Sequence, residues 1–260
     1  MDPAAYVEMD AIEARHWWFR GKRRLLAPLI ERMLQANPQA AASESPLVLE
    51  IGCGTAGNLD HFADLHPGAT FIGLDFDREA VRFSSEKSAG RFCVLQGDGT
   101  ALPFPTDSID GALALDIIEH FDDDAAIALE LARVLKPGSD LVLSVPAWPS
   151  LWSPHDEFLH HKRRYTPAAL RKLIEGAGFE IQETRGFNFL LLPPIWLIRR
   201  LKKTSADARH EEATGTDFFN LPRPIEAALA GLFVIEAALV RLFPIRSGVS
   251  IMMRAKKKPQ

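Results

Sequence analysis

Cysteine is nearly absent from this chain. Cys53 and Cys93 are the only two in 260 residues, too few for a disulfide framework. Cys93 lies in an apolar, strand-like run and reads as a small core residue. An excess of basic charge is missing too. The net charge of −4 gives no case for nucleic-acid binding, which usually shows a strongly basic balance. No apolar run is long enough to span a membrane. The nearest, residues 227–243, is broken by Glu236 and Arg241, whereas a span needs roughly 20 mostly apolar residues. The stretch MDPAAYVEMDAIEARHWWF has no basic region leading into an apolar one, so no signal peptide is expected. A reducing cytoplasm is the expected location. Internal repeats are missing, as are HExxH and any histidine–cysteine pairing, so no metal site is expected.

What is present is an ordinary globular composition, 47% hydrophobic and 25% charged, in a chain long enough for one large, elaborated domain. Apolar β-branched runs alternate with helical patterns. Strands are predicted at 46–52, 69–75, 91–97, 108–116, 139–146 and 179–187, with helices near 57–65, 77–89, 123–138 and 166–178. The helix at 123–138 ends in a Pro-Gly stop, and that at 166–178 starts with Thr166 as N-cap and Pro167 in its first turn. Such alternation predicts an α/β fold, a doubly wound and mostly parallel sheet with right-handed crossovers. Residues 1–42 form an N-terminal helical arm and 188–247 a helical insertion. Residues 43–187 and 248–260 make the core, with 248–257 as a last strand. Ligands of such sheets bind beyond the carboxyl ends of the strands.

Gly52-x-Gly54-x-x-Gly57, followed by Asp75, satisfies a dinucleotide fingerprint, but glycines alone report only a tight turn and close backbone approach. The acidic residues favour another ligand. Glu50 precedes the turn and would repel a pyrophosphate. Asp75 and Asp77 end the second strand, where a carboxylate can accept from ribose hydroxyls. Gly97-Asp98-Gly99 ends the third, within reach of an adenine amine, and Asp116 ends the fourth. S-adenosylmethionine carries an ammonium, a sulfonium, a ribose and an adenine but no phosphate, and it suits this anionic rim.

The segments VLEIGCGTAGN, FIGLDFD, LQGDGTALPFPTDSIDGALALDIIEH and ELARVLKPGSDLVLSVP, over about residues 46–146, resemble the class I S-adenosylmethionine-dependent methyltransferases. The resemblance implies that Glu50 and the Gly52-Cys53-Gly54 turn hold the methionyl part. Asp75 takes the ribose, Phe76 lies against the adenine, and Asp98, between Gly97 and Gly99, faces its amine. Asp116 and its neighbours border the reactive methyl. A seventh, antiparallel strand beside the sixth is also implied, with S-adenosylhomocysteine as product.

Methyl transfer from a sulfonium is an in-line displacement in which positioning and water exclusion carry much of the catalysis. A base is needed only for a protonated acceptor of low acidity. The candidates are His120, after the fourth strand, and His155, His160 or His161, after the fifth, with Asp156 as orienting group. His161-x-Arg163-Arg164-Tyr165 resembles a segment of one methyltransferase subgroup. With Trp148 and Trp152 it is read as a substrate-facing wall, the arginines suiting an anionic group on the acceptor or pairing with Asp156 or Glu157. The same subgroup has the HWWF pattern, which points to Trp17 and Trp18 as part of a lid, with an apolar anchor as the plainer reading. The apolar insertion fits a cover over a small or lipid-like acceptor, a homodimer interface, or peripheral membrane contact through Arg199, Arg200, Lys202 and Lys203. The expected function is methyl transfer to oxygen or carbon of a small or lipid-like acceptor. The alternatives are an NAD-dependent oxidoreductase and a non-catalytic S-adenosylmethionine-binding protein.

Overall fold

The structure, a computed structural model, describes residues 3–36, 45–204 and 222–259. Seven strands form one sheet: β1 (Leu47–Ile51), β2 (Thr70–Asp75), β3 (Cys93–Gln96), β4 (Ile109–Leu115), β5 (Leu135–Pro146), β6 (Phe179–Phe187) and β7 (Ser250–Lys257). Their order is β3-β2-β1-β4-β5-β7-β6. All run parallel except β7, which is antiparallel to both of its neighbours. The order reverses beside β1, where β2 lies on one side and β4 on the other. The Gly52 turn opens at that switch point, as the binding rule for such sheets requires.

Successive residues of a strand point to opposite faces, and the buried strands are apolar on both. Leu49, Ile51, Leu141 and Leu143 pack under α5 (Asp124–Val134) and α7 (Pro167–Gly176). Val48, Leu113 and Val142 face a second layer built from α2 (Trp17–Ala36), α3 (Gly57–Leu65) and α9 (Arg223–Leu242). The remaining helices are α1 (Pro3–Ile12), α4 (Arg78–Ser88), α6 (Pro154–Phe158) and α8 (Leu192–Thr204).

Two stretches outside the alternating core thus supply part of its second layer. From α2, Leu26, Leu29, Ile30 and Met33 are buried against the sheet, and Phe233 of α9 is buried beside them. The two helices meet so closely that a Cβ on Gly21 would fall 2.2 Å from the Phe233 ring. Glu236, which interrupts the apolar run of α9, is buried and accepts from the backbone N–H groups of Asn188 and Leu190. Its carboxyl therefore ties the insertion back to the end of β6. Among the described residues, no helix is long and apolar enough to cross a membrane. The segments 37–44 and 205–221, and the side chains of Arg200, Lys202 and Lys203 invoked for membrane contact, lie outside the described residues.

The structure corrects two expectations. Cys93 is exposed rather than in the core, because β3 is the edge strand of the sheet and an apolar run does not reveal which of its faces is covered. The helix expected over 123–138 stops at Val134, and Leu135 already pairs with Ile109 of β4. The Lys136-Pro137-Gly138 segment is part of the strand, with Gly138 in the left-handed region (φ 81°). The N-cap expected at Thr166 is present, its hydroxyl accepting from the Ala169 N–H at 3.2 Å. Thr166→Ala is expected to cost about 1 kcal/mol, read as a small downward shift of the urea midpoint.

Candidate active site at the carboxyl edge of the sheet

The Gly52 turn is held from behind by the sheet. The Gly52 and Cys53 N–H groups donate to the Leu74 carbonyl at 2.7 and 3.2 Å. Gly52 (φ 64°) and Gly54 (φ 55°) both adopt left-handed backbone, a conformation that is cheap for glycine. A Cβ on Gly52 would also meet Ile117 at 2.4 Å. Cys53 is buried beneath the turn, and burial pushes its thiol well above the usual range, so it is an inert apolar filler.

Glu50 is the most unusual group here. It is 1% exposed, one oxygen accepts from Asn58 Nδ2 at 3.0 Å, and the other is buried without a hydrogen-bond partner among the described residues. Burial pushes its pKa up to about 7, against the smaller opposing effects of Asn58 and Lys22. A buried carboxylate that lacks a partner is costly, and a cationic ligand would relieve that cost. Asp75 is half-buried, accepting from Gly54 N–H at 2.8 Å and Asp77 N–H at 2.9 Å. Burial outweighs those bonds and raises its pKa. Phe76 is 75% exposed, an open ring beside the turn. Gly97 N–H donates to the Asp75 carbonyl at 2.9 Å. Asp98 is exposed, and its carboxylate accepts from the Thr100 N–H and hydroxyl, both at 2.8 Å, which hold its pKa down. Gly99 is buried.

The N-terminal helices close over this rim. A Cβ on Gly54 would lie 3.3 Å from Met9 Cε. Tyr6 is buried, and burial, with Asp75 and Asp77 nearby, pushes its phenol above the usual range. Glu13 accepts from the Gly57 N–H at 3.1 Å and pairs with Lys87. Lys22 pairs with Asp116 and lies 5.3 Å from the centre of the Trp18 ring. Burial acts to raise the Asp116 pKa, but the Lys22 ammonium and the Ser144 hydroxyl (2.9 Å) overcome it, leaving the carboxyl lowered. Trp17 packs on Phe233, ring centres 5.5 Å apart, and joins the α2–α9 core. Sequence reasoning singled out the aromatic run but missed Tyr6, Glu13 and Lys22, which carry no spacing signal and reach the rim only through the path of the arm.

Beyond β4 and β5 lies a second polar cluster. Asp156, fully buried, accepts from Arg164 Nε at 2.7 Å and faces His161 Nδ1 at 2.9 Å. Burial opposes its ionisation, yet His161 and Arg164 hold its carboxyl below the usual range. The rings of His120 and His161 stand edge to face, 4.9 Å apart, and burial lowers the His120 pKa to about 4. Glu119, absent from the sequence-based site, is fully buried, and both carboxylate oxygens lack a hydrogen-bond partner among the described residues. Burial first, then the Asp116 charge, drives its pKa well up. The donor atoms of Glu119, His120 and His161 all lie within 4.8 Å of one another. Sequence spacing did not reveal that these three groups meet. They come from loops 41 positions apart in sequence. His160 is exposed.

The substrate wall is only partly as expected. Trp148 (φ 60°) donates from Nε1 to the Gly248 carbonyl at 2.9 Å. It lines a mostly apolar cleft of about 300 Å³ with Leu151, Leu192, Pro193 and Trp196. Trp152 donates to Glu157 at 3.3 Å. Arg163 and Tyr165 do not fit the wall. Arg163 pairs with Asp124 (2.9 Å) and donates to the Asp122 carbonyl. Tyr165 is buried, with its hydroxyl on Asp124 at 2.8 Å. Both spend polar groups on Asp124 at the start of α5, 39 and 41 positions away, a partner that no local pattern reveals. Arg199 donates to the Leu151 carbonyl.

A glycine turn at the switch point, carboxylates at the ends of β1, β2 and β4 and an exposed aromatic ring thus stand together at the carboxyl edge of the sheet. Residues 49–143 match the family described as methyltransferase domain. The chain is 35% identical over 180 residues to a Mycolicibacterium smegmatis protein described as a probable S-adenosylmethionine-dependent methyltransferase, covering 68% of this chain and 65% of that one. It is 32% identical over 108 residues to a fatty-acid O-methyltransferase of the same organism, covering 41% and 39%. The chain thus spans less than two thirds of the length of either relative. Phosphoethanolamine N-methyltransferase 2 of Haemonchus contortus, solved in complex with S-adenosyl-L-methionine, superposes with a TM-score of 0.56 at 16% identity, over 88% of this chain and 52% of that one. That likeness is one of fold. This chain carries a class I S-adenosylmethionine-dependent methyltransferase domain.

Proposed function

We propose that the protein transfers the methyl group of S-adenosylmethionine to oxygen or carbon of a small or lipid-like acceptor. The observation that carries this reading is the buried Glu50 carboxylate beside the glycine turn, with one oxygen unpartnered. A cationic ligand fits it and a diphosphate does not. Glu50 and the turn hold the methionyl part, Asp75 the ribose, and Phe76 and Asp98 the adenine. When bound, the cofactor supplies an electrophilic methyl on a positively charged sulfur. Asp116 borders that region and stays ionised through Lys22. The arm of α1 and α2 excludes water as a lid.

The acceptor enters from the side of Trp148, Leu151 and Trp196, whose apolar cleft suits a hydrocarbon-bearing molecule. The fatty-acid O-methyltransferase among the relatives supports the same reading. His161, oriented by Asp156, takes a proton from a hydroxyl acceptor. Incubation with S-adenosylmethionine and a panel of hydroxylated and fatty acceptors should yield S-adenosylhomocysteine with at least one. Tight cofactor binding without turnover of any acceptor would instead favour a binding protein. Binding of NAD in place of the sulfonium compound would return the site to the dinucleotide class.

Asp75→Ala is expected to weaken S-adenosylmethionine binding about 10- to 100-fold, since bonds to a charged acceptor contribute roughly 1.5–3 kcal/mol. Calorimetry on a variant whose unliganded melting temperature is near wild type checks this. Unchanged affinity would remove Asp75 from the ribose.

A further inference from the structure

We propose that Glu119, His120 and His161 form a three-ligand site for a divalent metal ion of the zinc class. Their donor atoms, two imidazole nitrogens and a carboxylate oxygen, lie within 4.8 Å of one another. Two imidazoles and one carboxylate are a common set of protein ligands for zinc, with a fourth position left for water or substrate. A tetrahedral ion with bonds of roughly 2.0–2.1 Å spaces its ligands about 3.4 Å apart. His161 Nε2 and Glu119 Oε1 are 4.0 Å apart, so loading draws them together by about half an ångström.

Three further observations point to a cation there. Glu119 is fully buried, and among the described residues neither of its oxygens has a hydrogen-bond partner, the state a buried carboxylate avoids unless something completes it. The neighbouring charges are already matched: Lys22 pairs with Asp116 and Arg164 with Asp156. Among the described residues, Glu119 is therefore the carboxylate of the cluster with which no lysine or arginine forms an ion pair, Lys22 and Arg164 acting on it only from a distance. Lastly, His161 turns Nδ1 to Asp156 at 2.9 Å, leaving Nε2 on the side of Glu119. A carboxylate behind the ring is the support that metal-bound histidines regularly have, fixing tautomer and orientation.

The site adjoins Asp116, which the methyltransferase reading places at the transferable methyl. On that reading, with His161 held as a ligand rather than acting as the base, the open position would receive the acceptor's hydroxyl, lower its pKa and release its proton to water. Metal binding itself does not depend on that reading, and the two can fail separately.

The test uses the full chain, stripped with a chelator and titrated with Zn²⁺ against a competing chromophoric chelator, without cofactor. One equivalent per chain is expected, and Co²⁺ in its place should give a ligand-field band in the visible. Glu119→Gln, His120→Gln and His161→Gln should each weaken Zn²⁺ binding by about 100-fold or more, while the exposed His160→Gln binds as wild type. Circular dichroism identifies any variant that fails to fold, and the remaining ligand variants decide. No stoichiometric uptake by wild type, wild-type affinity in folded ligand variants, or Mg²⁺ held more tightly than Zn²⁺ would each overturn the proposal. S-adenosylmethionine binding, measured in parallel, tells loss of the metal site from loss of the cofactor reading.

Discussion

Glu50→Gln is expected to stabilise the unliganded protein by about 3 kcal/mol at pH 8 and to weaken S-adenosylmethionine binding. The carboxyl is fully buried, and burial holds its pKa at about 7 rather than 4.5. In the unfolded chain it ionises near its ordinary value. Between about pH 4.5 and 7 the folded protein therefore keeps a proton that the unfolded chain has lost, and stability falls as pH rises through that window. Above about 7 both states are ionised and the loss levels off near 3 kcal/mol, from 1.36 kcal/mol for each pH unit. Glutamine removes this slope. Other buried carboxyls, Glu119 among them, contribute to the wild-type curve, so the difference between wild type and variant is what isolates Glu50.

The same proton links to the ligand. Only ionised Glu50 attracts a cation, so wild-type affinity should rise with pH, approaching tenfold per unit below about 7 and flattening above it. Glu50→Gln should show a flat profile and bind about 10- to 100-fold more weakly at pH 8, the range for a hydrogen bond to a charged group. Urea denaturation and calorimetry across pH read the two halves. Parallel stability curves would mean that Glu50 ionises freely in the fold. A flat wild-type affinity would mean that the cofactor's charge lies elsewhere.

The groups at the carboxyl edge of the sheet were legible in sequence because each is fixed locally. Glu50, Asp75 and Asp116 sit at or just beyond the carboxyl end of a strand, and strand direction in a parallel sheet puts them on one edge. Left-handed backbone at Gly52 and Gly54 could be read from the glycines themselves. The region beyond β4 and β5 was not legible, because its contacts join distant segments. Lys22 meets Asp116 across 94 positions, and Tyr165 meets Asp124 across 41. The HWWF run and the apolar insertion were visible, but their mutual packing through Phe233 was not. An amphipathic pattern says that a face is covered, not by which partner. Edge position is equally silent, which is how the exposed Cys93 passed for a core residue. The pairing of His161 with Asp156 is the exception. Asp156 was read as orienting one of several nearby histidines, and the structure pairs it with His161, five positions further on.

Asp156→Ala is expected to cost about 3–5 kcal/mol of stability, the usual consequence of removing one partner from a buried ion pair. Asp156 and the Arg164 side chain are nearly inaccessible, so the variant leaves a guanidinium inside the fold whose remaining partner is the Ala147 carbonyl at 3.1 Å. The substitution also removes the acceptor for the Ser153 N–H (2.9 Å) and with it the capping box of α6. For a chain of this size the loss corresponds to a drop in melting temperature of roughly 6–20 °C. His161 and Arg164 hold the Asp156 carboxyl below the usual range against the effect of burial. A depressed carboxyl contributes stability above its unfolded pKa and loses it only as pH falls towards the folded value. The gap between wild type and variant should therefore stay constant from about pH 5 to 8. Replacing both partners with apolar residues, Asp156→Leu with Arg164→Met, should recover part of the loss, because no charge is then stranded. A single-variant cost below about 1 kcal/mol would mean that Arg164 swings out to water, and with it the loop that carries His161.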